Sequence, residues 1–237
     1  MKPLRNFTMA RVALGRAGDA LPTYELLNLR AAHAAARDAV HQAVDIHSLR
    51  LECEQHGWKC LTLHSAAVDR TEYLRCPDRG RSLSEPSRRL LAPSPCDAAI
   101  IIADGLSALA IHRHALAVLD HLIPKLTPTW NLAPLTLVEQ ARVAIGDEIG
   151  IALGAKLTLI LIGERPGLSS PDSLGAYLTF NPHPGMTDAE RNCISNIRPE
   201  GLPYDQAANR LYALMTEARR RQMSGVALKE VTVPAIN

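Results

Sequence analysis

The sequence predicts an α/β fold in which an N-terminal helical region precedes a doubly wound, mostly parallel sheet. In the second half of the chain, short apolar runs with strand character are repeatedly followed by turns that combine glycine with an acid. The first quarter is instead rich in Ala, Leu, Arg and His and has no proline between Thr23 and His56. We therefore place a domain boundary at Gly57, with a helical region at 1–57 and an α/β domain at 58–237.

The helical region is predicted to form either one long helix or two consecutive helices from Thr23, stopped by Gly57. Basic side chains recur there every three or four residues, at Arg30, His33, Arg37 and His41. Such a row is either a solvated face or a face that docks on a partner chain, since the intervening alanines permit close backbone approach. The sequence leaves both interpretations open.

Four strands are predicted from short apolar runs. The first, Cys60–His64, precedes a Pro-, Ser- and Arg-rich connection at 76–97, and loops of that length are usually functional or mobile. The other three are 98–103, 142–145 and 157–162, each followed by a turn of glycine and acid. Because the carboxyl ends of parallel strands meet at one edge of a sheet, Asp104, Asp147 and Glu164 are expected at one ligand-binding rim.

The polar segment 163–175 comes directly after the last of these runs. Ser170-Pro171-Asp172 resembles a helix start, so a helix is predicted from about Pro171 with its N–H groups available to a phosphate. Glu164 is either an acceptor for ligand hydroxyls and amides or a plain exposed acid. No G-x-G-x-x-G motif is present, which disfavours a nicotinamide cofactor.

Cys193 lies in a second polar segment. Thr187 and Glu190 form a predicted capping box, which puts Cys193 about two turns into a helix or just beyond a short one. A cysteine in such surroundings is more often a packing residue than a nucleophile, and no histidine stands beside it in the sequence. The histidines at 112, 114 and 121 lack the spacing of a zinc site and are interpreted as surface or interface residues. No metal site is predicted.

The last predicted element is an amphipathic helix at 205–223. Its core-facing positions are Ala208, Leu211, Leu214, Met215 and Ala218, and it ends in three arginines.

Composition excludes several classes of partner. The formal net charge is +2 and aromatic residues make up 4% of the chain, which argues against nucleic acid and against a charged membrane surface. No stretch is long and apolar enough to span a bilayer. The five cysteines form no C-x-x-C pair and are expected to be reduced thiols. We expect a cytoplasmic protein.

Several long stretches of the sequence, which we call words, are characteristic of one family. They include RVAIGDEIG at 142–150, IGERPGLSSPDSLGAYLT at 162–179 and ERNCISNIRPEGL at 190–202. With these words the chain resembles the small (light) subunits of ethanolamine ammonia-lyase, the adenosylcobalamin-dependent enzyme that converts ethanolamine to acetaldehyde and ammonia. The resemblance covers nearly the whole sequence.

The resemblance implies a Rossmann-like domain that holds base-on adenosylcobalamin against a large catalytic subunit, in an assembly of six large and six small chains. It implies that Val143, Glu164 and Cys193 contact the cofactor and that no catalytic residue lies in this chain. The word Asp45-Ile-His47 comes close to a base-off cobalamin motif, but it lacks the motif's glycine and lies in a helical stretch, so we interpret it as coincidental. Only nine residues precede the first matching word, ARVALGRAGDALPT at 10–23, which puts packaging in a bacterial microcompartment in doubt. The alternative function is a stand-alone nucleotide- or cobalamin-binding regulatory module without lyase activity.

Overall fold

The structure of the chain is a computed structural model that describes residues 7–8 and 10–228. The outer limits of the two predicted domains, residues 1 and 237, lie outside the described part. The helices are α1 (Thr23–His41), α2 (Ile46–Gln55), α3 (Arg70–Arg75), α4 (Glu85–Leu90), α5 (Ala108–Ala110), α6 (Leu116–Leu126), α7 (Ile145–Leu153) and α8 (Tyr204–Arg221). The strands are β1 (Cys60–His64), β2 (Cys96–Ala103), β3 (Leu135–Glu139), β4 (Ala155–Gly163), β5 (Leu174–Phe180) and β6 (Arg191–Ile197).

The six strands form one sheet in the order β1-β3-β2-β4-β5-β6. The first four are parallel to one another, whereas β5 is antiparallel to β4 and β6 is antiparallel to β5. Both faces are covered, because α6 and α8 pack against the core of one face and α7 packs against the other. The predicted α/β class with a mostly parallel sheet is confirmed.

Two helices occupy the predicted helical region, and Gly57 comes after them with a φ of +76°. The Asp45 carboxylate accepts the Ser48 N–H and thereby caps the start of α2. Leu49 and Cys53 of α2 enter the core, while Ala39 is the one buried residue of α1. Most of α1 is therefore exposed.

The strand predicted at 142–145 is wrong. The strand of this unit is β3, seven residues earlier, where Leu135–Glu139 pairs along its whole length with β1. Residues 142–144 lead into α7, and the N–H of Ile145, the first residue of that helix, donates to the Arg142 carbonyl at 3.0 Å. The apolar residues of β3 suit a parallel strand that is covered on both faces, and its pairing with β1 decides between the two apolar runs.

The helix predicted from Pro171 is also wrong, because Pro171 and Asp172 form a turn that leads into β5. Leu174–Phe180 pairs antiparallel with residues 157–163 of β4. The connection predicted as a loop at 76–97 contains a short 3-10 helix at Pro77–Arg81 and α4. The helix predicted at 205–223 is confirmed as α8, and its five predicted core residues are buried.

Between α5 and α6 the chain forms a π-helical turn, Ile111–Ala115. Its His114 is 4% exposed, so the interpretation of this histidine as a surface or interface residue is wrong. The ring Nδ1 is 2.8 Å from the Tyr204 hydroxyl, and Nε2 is 3.4 Å from Asp172. Burial lowers the pKa of His114 below its ordinary value, although the nearby Asp172 carboxylate opposes that shift.

Candidate functional site

An open pocket of about 420 Å³ lies at the carboxyl edge of the parallel strands. The segments that come after β2, β3 and β4 meet there, as expected for a doubly wound sheet. Its lining consists of Tyr73, Gly105, Leu106, Arg142, Val143, Ile162, Gly163, Glu164, Arg165 and Tyr177.

Two glycines form the floor of this pocket. Gly105 has a φ of +57°, and a Cβ placed on it would lie 2.3 Å from the Gly163 carbonyl oxygen. A Cβ on Gly163 would lie 2.1 Å from the carbonyl oxygen of Ser107. The turn after β2 can therefore rest on the end of β4 only because both positions lack side chains.

Asp104 lies beneath the floor and is 1% exposed. One carboxylate oxygen accepts the Ala141 N–H at 3.0 Å, and the other accepts from Arg70 at 3.2 Å. Burial raises the pKa of Asp104 to about 6 although these contacts favour the charged form. Asp104 therefore joins the ends of β2 and β3 and does not itself face a ligand.

Arg70 connects this edge to the N-terminal helices. Its Nε donates to the Val40 carbonyl at 2.8 Å, and Nη1 donates to the Gly105 carbonyl at 2.9 Å. The guanidinium carbon also stands 4.8 Å from the centre of the Tyr73 ring. The C-terminal end of α1 is thereby fixed to the floor of the pocket.

Glu164 lines the pocket and is held by its own chain. Its N–H donates to the Ser173 carbonyl at 2.9 Å, and the Ser173 hydroxyl donates to Oε2. The Asn196 N–H donates to the same Oε2 at 3.2 Å. Both of these bonds engage Oε2, and within residues 7–8 and 10–228 no hydrogen bond engages Oε1.

Cys193 lies in β6 directly across from Tyr177 in β5. It comes after the short 3-10 helix Asp188–Glu190, and the predicted capping box of Thr187 and Glu190 is present. The Tyr177 hydroxyl and the Cys193 thiol are neighbours across the strand pair, and each shifts the pKa of the other. Although part of the residue is exposed, burial of its thiol raises the pKa of Cys193 above its ordinary value, and the neighbouring Tyr177 hydroxyl only partly opposes this shift. The group is therefore a neutral thiol at neutral pH and a poor nucleophile.

Asp147 was expected at the rim with Asp104 and Glu164, but it is buried in an ion pair with Arg191. Both guanidinium Nη atoms lie 2.6 Å from its carboxylate oxygens, and Nη1 also donates to the Thr179 hydroxyl at 2.9 Å. The pair joins the first turn of α7 to the start of β6. Of the three predicted acids, only Glu164 lines the pocket.

Asp172, which belongs to the loop between β4 and β5, fixes that loop to neighbouring arginines. Arg113 donates to its carboxylate at 2.8 Å, and Arg198 approaches to 3.5 Å. Burial alone raises the pKa of Asp172, but the Arg113 hydrogen bond and the neighbouring His114 outweigh it and hold the pKa below its ordinary value. The helix N-terminus expected here as a phosphate site is absent, because residues 171–172 form a turn.

A comparison with protein families decides which family the chain represents. The model of the ethanolamine ammonia-lyase light chain matches residues 1–229. The chain belongs to the ethanolamine ammonia-lyase small-subunit family. The resemblance to this family is thereby confirmed.

Curated ethanolamine ammonia-lyase small subunits align with 96% of this chain. The one from Pseudomonas fluorescens strain Pf0-1 is 56% identical, and 85% of its length is covered. Those from Ralstonia nicotianae and from Pseudomonas putida strain W619 are 55% and 56% identical, with 87% and 86% of their lengths covered. Members of this family are subunits of a lyase.

Two further observations concern metal ions and membrane-spanning helices. Within the described part of the chain, no cluster of His, Cys, Asp and Glu could hold a metal ion, and no helix is long and apolar enough to cross a membrane. Among the candidate contacts, Val143 and Glu164 line one pocket, and Cys193 adjoins it through Tyr177. Sequence reasoning missed Tyr177 because nothing in its local sequence distinguishes it from other strand residues.

Proposed function

We propose that this chain is the small subunit of an adenosylcobalamin-dependent ethanolamine ammonia-lyase and that it holds the cofactor against a large catalytic subunit. The observation that supports the proposal is that Val143 and Glu164, from two different segments, line one carboxyl-edge pocket and that Cys193, from a third, lies directly across from the lining residue Tyr177. We propose these three residues as cofactor contacts and no residue of this chain as catalytic.

The chemistry of the pocket suits a corrinoid. Corrinoids present many neutral amides, which need acceptors and donors more than charges, and an extensive apolar ring system. Glu164 Oε1 can accept from an amide N–H or a hydroxyl, while the half-buried Val143 offers an apolar surface. Cys193, as a neutral thiol, can pack against the ligand without reacting with it.

When bound, adenosylcobalamin supplies an organic radical by homolysis of its cobalt–carbon bond. The part of this chain is to bind and orient the cofactor. None of the residues that line the pocket is a histidine, which favours a base-on mode in which the protein supplies no ligand to cobalt. Asp45 is occupied as the cap of α2, which supports the view that the word at 45–47 is coincidental.

The pocket also suggests a second subunit. A volume of about 420 Å³ suits a ligand of drug size, and a corrinoid is larger, so a partner must cover what this chain leaves exposed. The exposed face of α1 carries Ala31, Ala34 and Ala35 and is proposed as part of the surface that meets the large subunit. Ethanolamine would bind on that subunit, in an assembly of six large and six small chains. We propose the cytoplasm as the location, and fractionation of the cells would test packaging in a bacterial microcompartment.

Co-expression with the large subunit from the same organism tests the proposal. The purified complex is expected to show a cobalamin absorption spectrum after incubation with the cofactor and to release ammonia from ethanolamine. Failure of the chains to associate would refute the subunit role. A small chain that binds cobalamin alone and forms no complex would support the stand-alone regulatory module instead.

Glu164→Ala gives a sharper test of the site. Loss of a hydrogen bond to a charged acceptor costs about 1.5–3 kcal/mol, so the half-saturating cofactor concentration should rise by roughly 10- to 100-fold. The half-saturating concentration of ethanolamine should change little. Glu52→Ala, which removes an exposed acid on α2, is the matched control. Equal effects of Glu164→Ala on both ligands would indicate a damaged fold.

A further inference from the structure

Arg142 is a half-buried arginine at the junction of two pockets. It lines the carboxyl-edge pocket together with Val143, and the same two residues line an adjoining pocket of about 480 Å³ that also contains Arg81. The Arg142 N–H donates to the Gly80 carbonyl at 2.7 Å, which fixes its backbone. A ligand that crosses Val143 from one pocket into the other would pass the Arg142 side chain.

The charge of Arg142 has no counterion in the described part of the chain. Its Nη2 donates to the Tyr73 carbonyl at 3.4 Å, and its buried Nε has no hydrogen-bond partner. Within residues 7–8 and 10–228, no carboxylate lies within 4.0 Å of its guanidinium. The three buried acids of the described chain, Asp104, Asp147 and Asp172, are paired with other arginines.

A second cation makes this position less favourable. The Arg142 guanidinium carbon lies 4.3 Å from the centre of the Tyr73 ring, on which Arg70 also stacks. Burial lowers the pKa of Arg70, and the charge of Arg142 lowers it further. A partly buried cation without a counterion is unfavourable, whereas a guanidinium fork matches phosphate oxygens in geometry and charge. The missing anion is thus expected from a ligand.

We propose that Arg142 binds an anion and that this anion is the phosphodiester of the cofactor's nucleotide loop. The inference rests on the proposed function. The amide side chains of cobalamin are neutral, so the phosphodiester is the group that matches the unpaired guanidinium. Val143, which adjoins Arg142 and lines both pockets, would then offer an apolar contact beside the bound phosphate.

The experiment compares two corrinoids on the complex with the large subunit. Hydroxocobalamin carries the nucleotide loop and its phosphate, whereas cobinamide lacks both. Arg142→Met keeps much of the side-chain length and removes the charge. We expect it to weaken hydroxocobalamin binding by about 10- to 100-fold, the loss typical of one charge-assisted hydrogen bond, and to change cobinamide binding by less than about threefold. Affinity is measured by titration calorimetry, independent of turnover.

Two further variants complete the design. Arg142→Lys keeps the charge without the fork and is expected to recover part of the loss for hydroxocobalamin. Arg75→Met removes an exposed arginine of α3 outside both pockets and should leave both affinities unchanged. Circular dichroism and size-exclusion chromatography establish that each variant folds and assembles.

Several outcomes would overturn the inference. Equal weakening of both corrinoids would assign Arg142 a structural role, and unchanged binding of hydroxocobalamin would show that Arg142 does not bind the phosphate. In either case the wild-type complex would still bind cobalamin, and the proposed function would stand. Loss of the complex in Arg142→Met alone would place the counterion on the large subunit. A wild-type complex that binds neither corrinoid would refute the proposed function together with this inference.

Discussion

Removal of the Asp147 carboxylate would leave the Arg191 guanidinium buried without a counterion. The two side chains are 10% and 2% exposed, and both contacts between them measure 2.6 Å. Breaking a buried pair from one side costs about 3–5 kcal/mol, because the remaining charge keeps its desolvation penalty. For domains of this size, 1 kcal/mol corresponds to roughly 2–4 °C, so Asp147→Ala should lower the melting temperature by roughly 6–20 °C.

Urea denaturation and thermal unfolding of the purified chain, followed by circular dichroism, measure this loss. Glu54→Ala is the control, since it breaks an exposed i,i+4 pair with Arg50 that is worth about 0.3–0.5 kcal/mol. The double variant Asp147→Leu/Arg191→Met removes both charges and should recover most of the stability. A loss below about 1 kcal/mol for Asp147→Ala would refute the reasoning, because it would mean that the guanidinium finds water or another partner.

Three further predictions concern glycine packing, a thiol and a buried acid. Gly150→Ala should destabilise the chain by more than about 1 kcal/mol in urea denaturation, since the new Cβ would lie 2.5 Å from Thr158 Cγ2. Gly146→Ala in the same helix is the control: its Cβ would meet nothing closer than 3.6 Å, so the substitution should be neutral or stabilising. Burial raises the pKa of Cys193, so its thiol should react with iodoacetamide more slowly than free cysteine at pH 7.5. The pH at which the reaction accelerates should be higher for Cys193 than for free cysteine. A fast reaction at pH 7.5 would contradict the assignment of a neutral thiol. The pKa of Asp104 is about 6 in the folded chain and 3.8 ordinarily, so the folded state binds the proton more tightly than the unfolded state. As the pH rises from 4 to 7, the wild type should therefore lose on the order of 3 kcal/mol of stability relative to Asp104→Asn in urea denaturation. A stability difference between the two proteins that stays constant with pH would contradict this prediction.

The sequence predicted α8 correctly because long amphipathic periodicity is a strong local signal. It misplaced the third strand because a short apolar run at 142–145 cannot be distinguished by periodicity from the approach to a buried helix. The deciding information is non-local: Leu135–Glu139 has strand partners on both sides, and residues 142–145 have none.

The error at Ser170-Pro171-Asp172 has a similar origin. Serine, proline and aspartate favour a tight turn for the same reasons that they favour the start of a helix. The next segment makes the difference, since Leu174–Phe180 completes the sheet against β4. A local motif contains no information about which distant strand the following segment will pair with.

Within the site, the segment ends were predictable and the contacts between segments were not. Glu164 comes directly after a recognisable strand, so its place at the carboxyl edge could be expected. Its bonds to Ser173 and Asn196, and the meeting of Tyr177 with Cys193, depend on the register of β5 and β6. Register is set by pairing across the sheet, which one sequence does not display.

The π-helical turn at Ile111–Ala115 sets the rotational phase of all the helical residues after it. Such a turn contains one residue more than an α-helical turn, and each residue advances the helix by about 100°. Deleting a single residue there would restore regular α-helix and rotate α6 by that angle, turning Leu119, Leu122 and Leu126 away from the core they share with α8. The extra residue is thus what lets one continuous helix direct His114 towards Asp172 at one end and an apolar stripe towards α8 at the other.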